Sequence, residues 1–215
     1  MKKLIIVLIL VIPFLNTNAQ GIGKLAPERP PEEFPDNAFG LDVIFSEGGI
    51  GFGTFYRHSL SNKLTFFTDF SISESKDDQE IVRFDPFTLQ PFTSFKKNRV
   101  FILPLNFGLQ YRLFRDEIYD NLRPYINFGV GPTLVLTTPS NQEFFNAFGD
   151  AQTKYALGGY IGFGANFGID KSSLVGLNVR YYYIHLFDEG VEGLIGKFRK
   201  NLGGIFLTIN IGFMY

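Results

Sequence analysis

Two imidazoles, His58 and His185, are the only general-base candidates of their kind in a 215-residue chain that has no cysteine and no tryptophan. Acyl-transfer chemistry would need one of them beside a serine hydroxyl and an acidic partner, because a hydroxyl nucleophile is weak until a neighbouring base takes its proton. His185 is followed by Phe187, Asp188 and Glu189, with no serine placed to form a His-x-Ser pair. Zero cysteines exclude a thiolate nucleophile, a thiolate metal site and a disulfide framework. Asp77, Asp78 and Glu80 offer carboxylates to a cation, but an acidic, solvated loop is the plainer reading. The string Gly158-Gly159-Tyr160-Ile161-Gly162-Phe163-Gly164 imitates a phosphate-cradling loop. It lies inside a strand pattern with no helix after it, so the match is rejected. No catalytic, cofactor-binding or metal-ligating residue is assigned. A formal charge of −1 also removes the basic footprint of a nucleic-acid binder.

What remains is a set of charges in unusual places. Asp42, Arg57, Asp69, Arg112 and Arg180 fall well inside segments that alternate apolar and polar with period two, the strand signature. Eight such segments are predicted: 38–46, 49–60, 63–74, 99–114, 123–137, 154–169, 173–187 and 202–215. In the last, Leu207, Ile209, Ile211, Phe213 and Tyr215 oppose Phe206, Thr208, Asn210, Gly212 and Met214. In 99–114, Phe101, Leu103, Leu105, Phe107, Leu109 and Tyr111 oppose Pro104, Asn106, Gly108, Gln110 and Arg112. Pro132 predicts a bulge or an early end in its strand.

Alternation alone does not choose between water and lipid as the outer solvent; the polar faces do. A water-facing strand surface carries Lys and Glu, yet every lysine after Lys3 lies in the tail, in a connection or at a strand end. The five intrastrand charges share the small, glycine-bearing face, which reads as a crowded lumen, while the bulky face looks at lipid. The 26 Phe and 23 Gly, against about 15 Gly at average usage, fit that division: rings outside, glycine thinning the interior. An open sheet edge in hydrocarbon leaves unpaired backbone groups, so the sheet must close. The expected fold is all-β, an eight-stranded antiparallel transmembrane up-and-down β-barrel.

Residues 1–19 read as an export signal: Lys2 and Lys3, an apolar stretch Leu4 to Leu15 and small residues before Gln20, too short for a membrane helix. Its removal takes the basic count from 20 to 18 against 21 acidic residues, a mature charge of −3. Residues 20–37, with Pro27, Pro30, Pro31 and Pro35 among Glu28, Arg29, Glu32 and Glu33, read as an extended solvated tail, and 38–215 as the barrel. Connections at Ser61-Asn62, Arg115 to Asn121 and Asp170 to Ser172 are short, whereas 75–98, 138–153 and 188–200 are long, with a tight turn at Glu47 to Gly49. Short links inside and long loops outside are the outer-membrane pattern, with both termini periplasmic.

The run Phe101 to Leu113, containing Leu103-Pro104-Leu105 and Tyr111-Arg112, followed by Arg123-Pro124-Tyr125 and its glycine-bearing strand, resembles the porin-like, PorT-like outer-membrane β-barrels of Bacteroidetes. These are OmpX/OmpA-like in size. The resemblance covers residues 38–215 and implies integral outer-membrane location, with outer-membrane lipid and the barrel-assembly machinery as partners. Tyr215, an aromatic C-terminal residue on the lipid face, resembles that machinery's recognition signal.

A barrel of eight strands is just wide enough for side chains to fill. Asp42 and Asp69 are expected to meet Arg57, Arg112 and Arg180 there as a polar plug, with a narrow pore or small-solute transporter as the alternative and a lipid A-modifying enzyme disfavoured by the missing His and Ser pairing. The outer loops carry Phe84, Phe87, Phe92, Phe95, Phe144, Phe145 and Phe148. Rings so placed pack on one another over the mouth, enter the lipid interface or contact a partner. The expected role is a non-enzymatic structural or accessory subunit docking to a larger envelope complex, with no cofactor and no nucleic acid.

Overall fold

The computed structural model describes residues 34–77, 80, 82–84, 86–87, 91–93, 95–118, 121–168 and 171–215. The expected export signal, most of the proline-rich segment and Asp78 lie outside the described residues.

Eight long strands form: β1 (Asn37–Ser46), β2 (Gly49–Ser59), β3 (Leu64–Glu74), β4 (Asn98–Arg112), β5 (Leu122–Pro139), β6 (Gln152–Phe167), β7 (Ser173–Leu186) and β8 (Asn201–Met214). Each pairs antiparallel with its chain neighbours, and β1 pairs with β8 to close the barrel. The expected boundaries hold to within two residues at every end. At the seam, the backbone of Asn37 donates to Tyr215 at 3.1 Å and accepts from it at 2.9 Å, so the last residue completes the ladder. Two short hairpins, Val82–Phe84 with Pro91–Thr93 and Val191–Leu194 with Lys197–Arg199, and a 3-10 turn, Asn146–Asp150, occupy the long connections.

Pro132 neither ends its strand nor shifts it. It pairs with Leu157 in unbroken register on the β6 side, while toward β4 the ladder is interrupted between Thr133 and Val130 and resumes in the same register. Pro104 sits at the corresponding interruption between β4 and β3, where Phe70 and Ser73 flank the gap. A residue without an N–H leaves a hole in one ladder, but partners on both flanks hold the strand straight.

Sidedness follows parity. Leu41 is 63 % exposed and Asp42 1 %, and that alternation continues round the barrel. Three phenylalanine rings nevertheless point inward, Phe55, Phe67 and Phe206, each buried. Glycine makes their space: a Cβ on Gly40 would lie 2.6 Å from the Phe55 Cζ, and one on Gly108 2.5 Å from the Phe67 Cζ.

The lumen is not polar throughout. Towards the long-loop end its inward positions include Ile44, Val100, Ile102, Val135, Ile184, Leu186 and Leu202, all buried and joined by Val191 from the last loop, with Ser71, Ser73, Thr133 and Thr137 buried among them. This apolar plug lies above the charged layer, so the interior is graded rather than a single polar filling. Inward alternation fixes which residues enter, not whether they are polar, and the β-branched residues at these positions pack on each other once water is excluded.

Candidate functional site

The middle layer of the lumen is organised by Arg180. Its guanidinium, 2 % exposed as a side chain, reaches Asp42 at 3.4 Å and Asp69 at 3.5 Å. Asp69 also accepts from Asn106 Nδ2 and the Tyr160 hydroxyl, both at 2.8 Å, and Asp42 from Asn210 Nδ2. The guanidinium lies 4.9 Å from the Tyr160 ring centroid and donates to the Tyr182 hydroxyl at 3.4 Å. Phe67, Tyr160, Tyr182 and Phe206 continue as a chain of rings with centroid separations of 6.0, 4.7 and 4.9 Å. These contacts join β1, β3, β4, β6, β7 and β8 across the lumen. Low dielectric strengthens the bonds of such a network and makes a broken ion pair expensive, although Arg180 Nε and Asn106 Oδ1 have no hydrogen-bond partner among the described residues.

Arg57 and Arg112 do not join it, contrary to expectation. Arg57 donates to Asn166 Oδ1 at 3.1 Å and stacks over Phe55 at 4.4 Å. Arg112 ends β4. Since Asn106 is the register partner of Asp69, Arg112 lies six residues further along, roughly 20 Å at strand rise, beyond any side chain's reach. Charge balance alone does not place residues along the axis. Arg123, 6 % exposed at the start of β5, is a further inward cation outside the expected set. The signal was there, since Arg123 shares the inward parity of Tyr125 and Asn127. Its guanidinium sits 3.9 Å from the Phe34 ring, and that of Arg112 lies 5.9 Å from the same ring. These arginines line a cavity of about 400 Å³ at the end of the barrel where β1 begins and β8 ends.

At the other end the loops are tied together. Lys96 bridges Glu74 at 3.2 Å and Glu80 at 3.1 Å, and Arg199 meets Asp77 at 2.9 Å. Asp77 and Glu80 are therefore buried in ion pairs, not solvated as the sequence suggested. Lys97 pairs with Glu192, and its backbone N–H donates to the Gly193 carbonyl at 2.8 Å. Lys154 bonds Asp188 at 2.8 Å, and that bond, helped by the Gly190 N–H, holds the Asp188 carboxyl below the usual carboxylate range. The Lys97 ammonium, then the Gly196 N–H, does the same for Glu192.

The loop aromatics divide. Phe144 and Phe148 pack on Phe101 at 6.0 and 5.7 Å, on the outer wall of β4 rather than over the mouth. Phe145 stacks edge-on to Phe144 yet stays 85 % exposed. Phe84, Phe87 and Phe95 are exposed as well, and the Phe92 side chain lies outside the described residues. Each histidine donates from Nδ1 to an asparagine on the neighbouring strand, His58 to Asn37 at 2.9 Å and His185 to Asn201 at 2.7 Å. Tyr56 and Tyr183 donate to the same two oxygens. The Tyr215 side chain is exposed at the seam.

No family model and no curated protein matches this sequence. Among solved structures, the chain is similar to Neisserial surface protein A, with a TM-score of 0.51 at 10 % identity over 86 % of this chain and all of that one. The N-terminal β-barrel domain of Pseudomonas aeruginosa OprF gives 0.44 at 13 %, covering 84 % of this chain and 100 % of that one. Ail, the attachment invasion locus protein of Yersinia pestis, gives 0.42 at 11 %, covering 82 % and 95 %. At such identity the likeness to the Neisserial protein is one of fold alone, a small closed β-barrel.

Proposed function

We propose that this protein is an integral outer-membrane β-barrel with a plugged lumen, serving as a non-enzymatic structural or accessory subunit that binds other envelope proteins through its long loops. The observation that carries this reading is the inversion of sides. Every strand exposes a large apolar residue at mid-height: Leu41, Phe52, Phe70, Phe107, Phe128, Ile161, Tyr181 and Ile211. A continuous apolar band with charges inside is stable in hydrocarbon and would aggregate in water.

Location and orientation rest on the export signal, the short turns at the terminal end and the resemblance of the Leu-Pro-Leu, Tyr-Arg and Pro-Tyr motifs to PorT-like barrels. Outer-membrane lipid and the barrel-assembly machinery, reading Tyr215, are the partners this implies. The non-enzymatic reading rests on the missing His and Ser pairing in the sequence; in the structure His58 contacts Asn37 and His185 contacts Asn201. The apolar layer stacked on the Arg180 network argues for a closed interior. Planar-bilayer recordings of the purified protein should therefore show no stable conductance; reproducible ion-selective openings abolished by Arg180→Ala would sink the plugged reading.

Partner binding is assigned to three of the exposed loop rings, Phe84, Phe87 and Phe145; Phe95 is exposed as well. Replacing these three by Ser should remove specific co-purifying envelope proteins from mild-detergent extracts while the barrel still assembles. An unchanged set of partners would refute the docking role.

A further inference from the structure

We infer that two outward side-chain clusters are lipid-headgroup contact sites, one for each leaflet, which together fix the depth of the barrel in the bilayer. His58 with Asn37 and Tyr56 forms the site at the terminal end, and His185 with Asn201 and Tyr183 the site at the long-loop end. The inference rests on the membrane reading above and adds the residues that set its limits.

The clusters repeat one arrangement. In each, a Tyr-x-His pair of one strand faces an asparagine that stands directly opposite the histidine on the neighbouring strand. Both rings use the same amide oxygen: Asn37 Oδ1 meets the Tyr56 hydroxyl and His58 Nδ1 at 2.9 Å each, and Asn201 Oδ1 meets the Tyr183 hydroxyl at 3.1 Å and His185 Nδ1 at 2.7 Å. Strand parity puts all six side chains on the outer wall. The imidazoles are thereby pinned through Nδ1, and each keeps Nε2 as a polar atom with no partner among the described residues. Such an atom is costly in hydrocarbon, where nothing answers it, and is satisfied in the headgroup layer by phosphate and ester oxygens and water. The chain's two histidines thus share one setting at opposite ends of the barrel.

Their separation fits that assignment. The ladder runs from Asn37 along β1 to Phe45, across to Leu207 and along β8 to Asn201. At strand rise and the tilt of an eight-stranded barrel, this path sets the imidazoles roughly 25 Å apart along the axis, the height of the apolar band of an outer-membrane barrel. Between the clusters no outward position of β1, β2, β7 or β8 carries a charge. The polar triads therefore stand where the uncharged wall stops.

The test uses the mature chain folded into phosphatidylcholine vesicles of graded acyl-chain length, with urea unfolding followed by circular dichroism. The unfolding midpoint of the parent is expected to peak where the hydrocarbon is about 25 Å thick. In His58→Phe/His185→Phe the apolar band reaches further at both ends, so the peak should move by about 2–5 Å towards thicker bilayers, and each single variant should move it part of the way. His58→Gln/His185→Gln keeps a hydrogen-bonding side chain at each interface and should leave the peak in place. A peak that stays put in the double Phe variant, or that moves as far in the double Gln variant, overturns the inference while the membrane reading stands. A parent that folds in none of the vesicles overturns both.

Discussion

Replacing Arg180 by Met tests whether the lumen is held by a compensated charge or merely by filled volume. Methionine keeps much of the side-chain length and is apolar, so packing loss is small and the change is chiefly electrostatic. Two carboxylates, each 3 % exposed or less, lose the cation that lies 3.4 and 3.5 Å away. Breaking one buried ion pair costs about 3–5 kcal/mol, because a desolvated charge is left without its partner. Doubling that figure would overcount. Asp69 keeps its bonds from Asn106 and Tyr160, and Asp42 keeps that from Asn210. A destabilisation of about 3–5 kcal/mol in total is the expectation. Urea unfolding of the barrel in lipid vesicles, followed by circular dichroism and by heat-modifiable mobility, measures it. The triple variant Asp42→Asn/Asp69→Asn/Arg180→Met removes all three charges together and should return to within about 2 kcal/mol of the parent, since a neutral replacement of a buried triad is often tolerated. A loss below about 1 kcal/mol in Arg180→Met, or no recovery in the triple variant, would refute the electrostatic account.

Other consequences can be measured separately. Gly108→Ala should destabilise by about 1–3 kcal/mol, because its Cβ would meet the Phe128 carbonyl oxygen at 2.1 Å, whereas Gly129→Ala, whose nearest contact is the Tyr160 ring at 3.0 Å, should cost less than about 1 kcal/mol. The same unfolding titration ranks the pair, and equal losses would discredit the ring-space argument. The ties through Asp188 and Glu192 involve carboxyls whose folded pKa is depressed. Their contribution is therefore complete above the ordinary carboxylate value, about 4, and is lost as pH falls through the folded value. Amide exchange of residues 188–199, after correction for the intrinsic pH dependence, should accelerate on acidification from pH 6 to about 3 while the barrel strands stay protected. Phe101→Ala should free the 140–151 loop, which Phe144 and Phe148 hold to the outer wall, raising its exchange or proteolysis with a stability change of only about 1 kcal/mol.

Strand number, strand ends and sidedness were legible because period two is a local property: Leu207, Ile209 and Ile211 announce their face without reference to any other strand. The division of Phe from Gly was legible for the same reason, although Phe55, Phe67 and Phe206 fill the interior beside glycines such as Gly40 and Gly108. What escaped was position along the barrel axis. Whether Arg112 reaches Asp69 depends on register between β3 and β4, a relation between segments 37 residues apart for Asp69 and Asn106. Asp77 and Glu80 likewise looked solvated because their cations, Arg199 and Lys96, lie in other parts of the sequence. Pro132 misled in the opposite direction, since a local rule about missing N–H groups was overruled by an intact ladder on the other side.

Axial position also separates what the barrel needs from what it is free to use. The apolar layer and the Arg180 layer close on themselves: every charge in them has its partner, and their alteration acts on stability first. The terminal-end mouth is held differently. Arg57 is held by a neutral amide and two rings, and Arg112 lies 5.9 Å from the Phe34 ring, so rings and an amide set their orientation, and their replacement acts on the mouth before it acts on the layers that close the barrel.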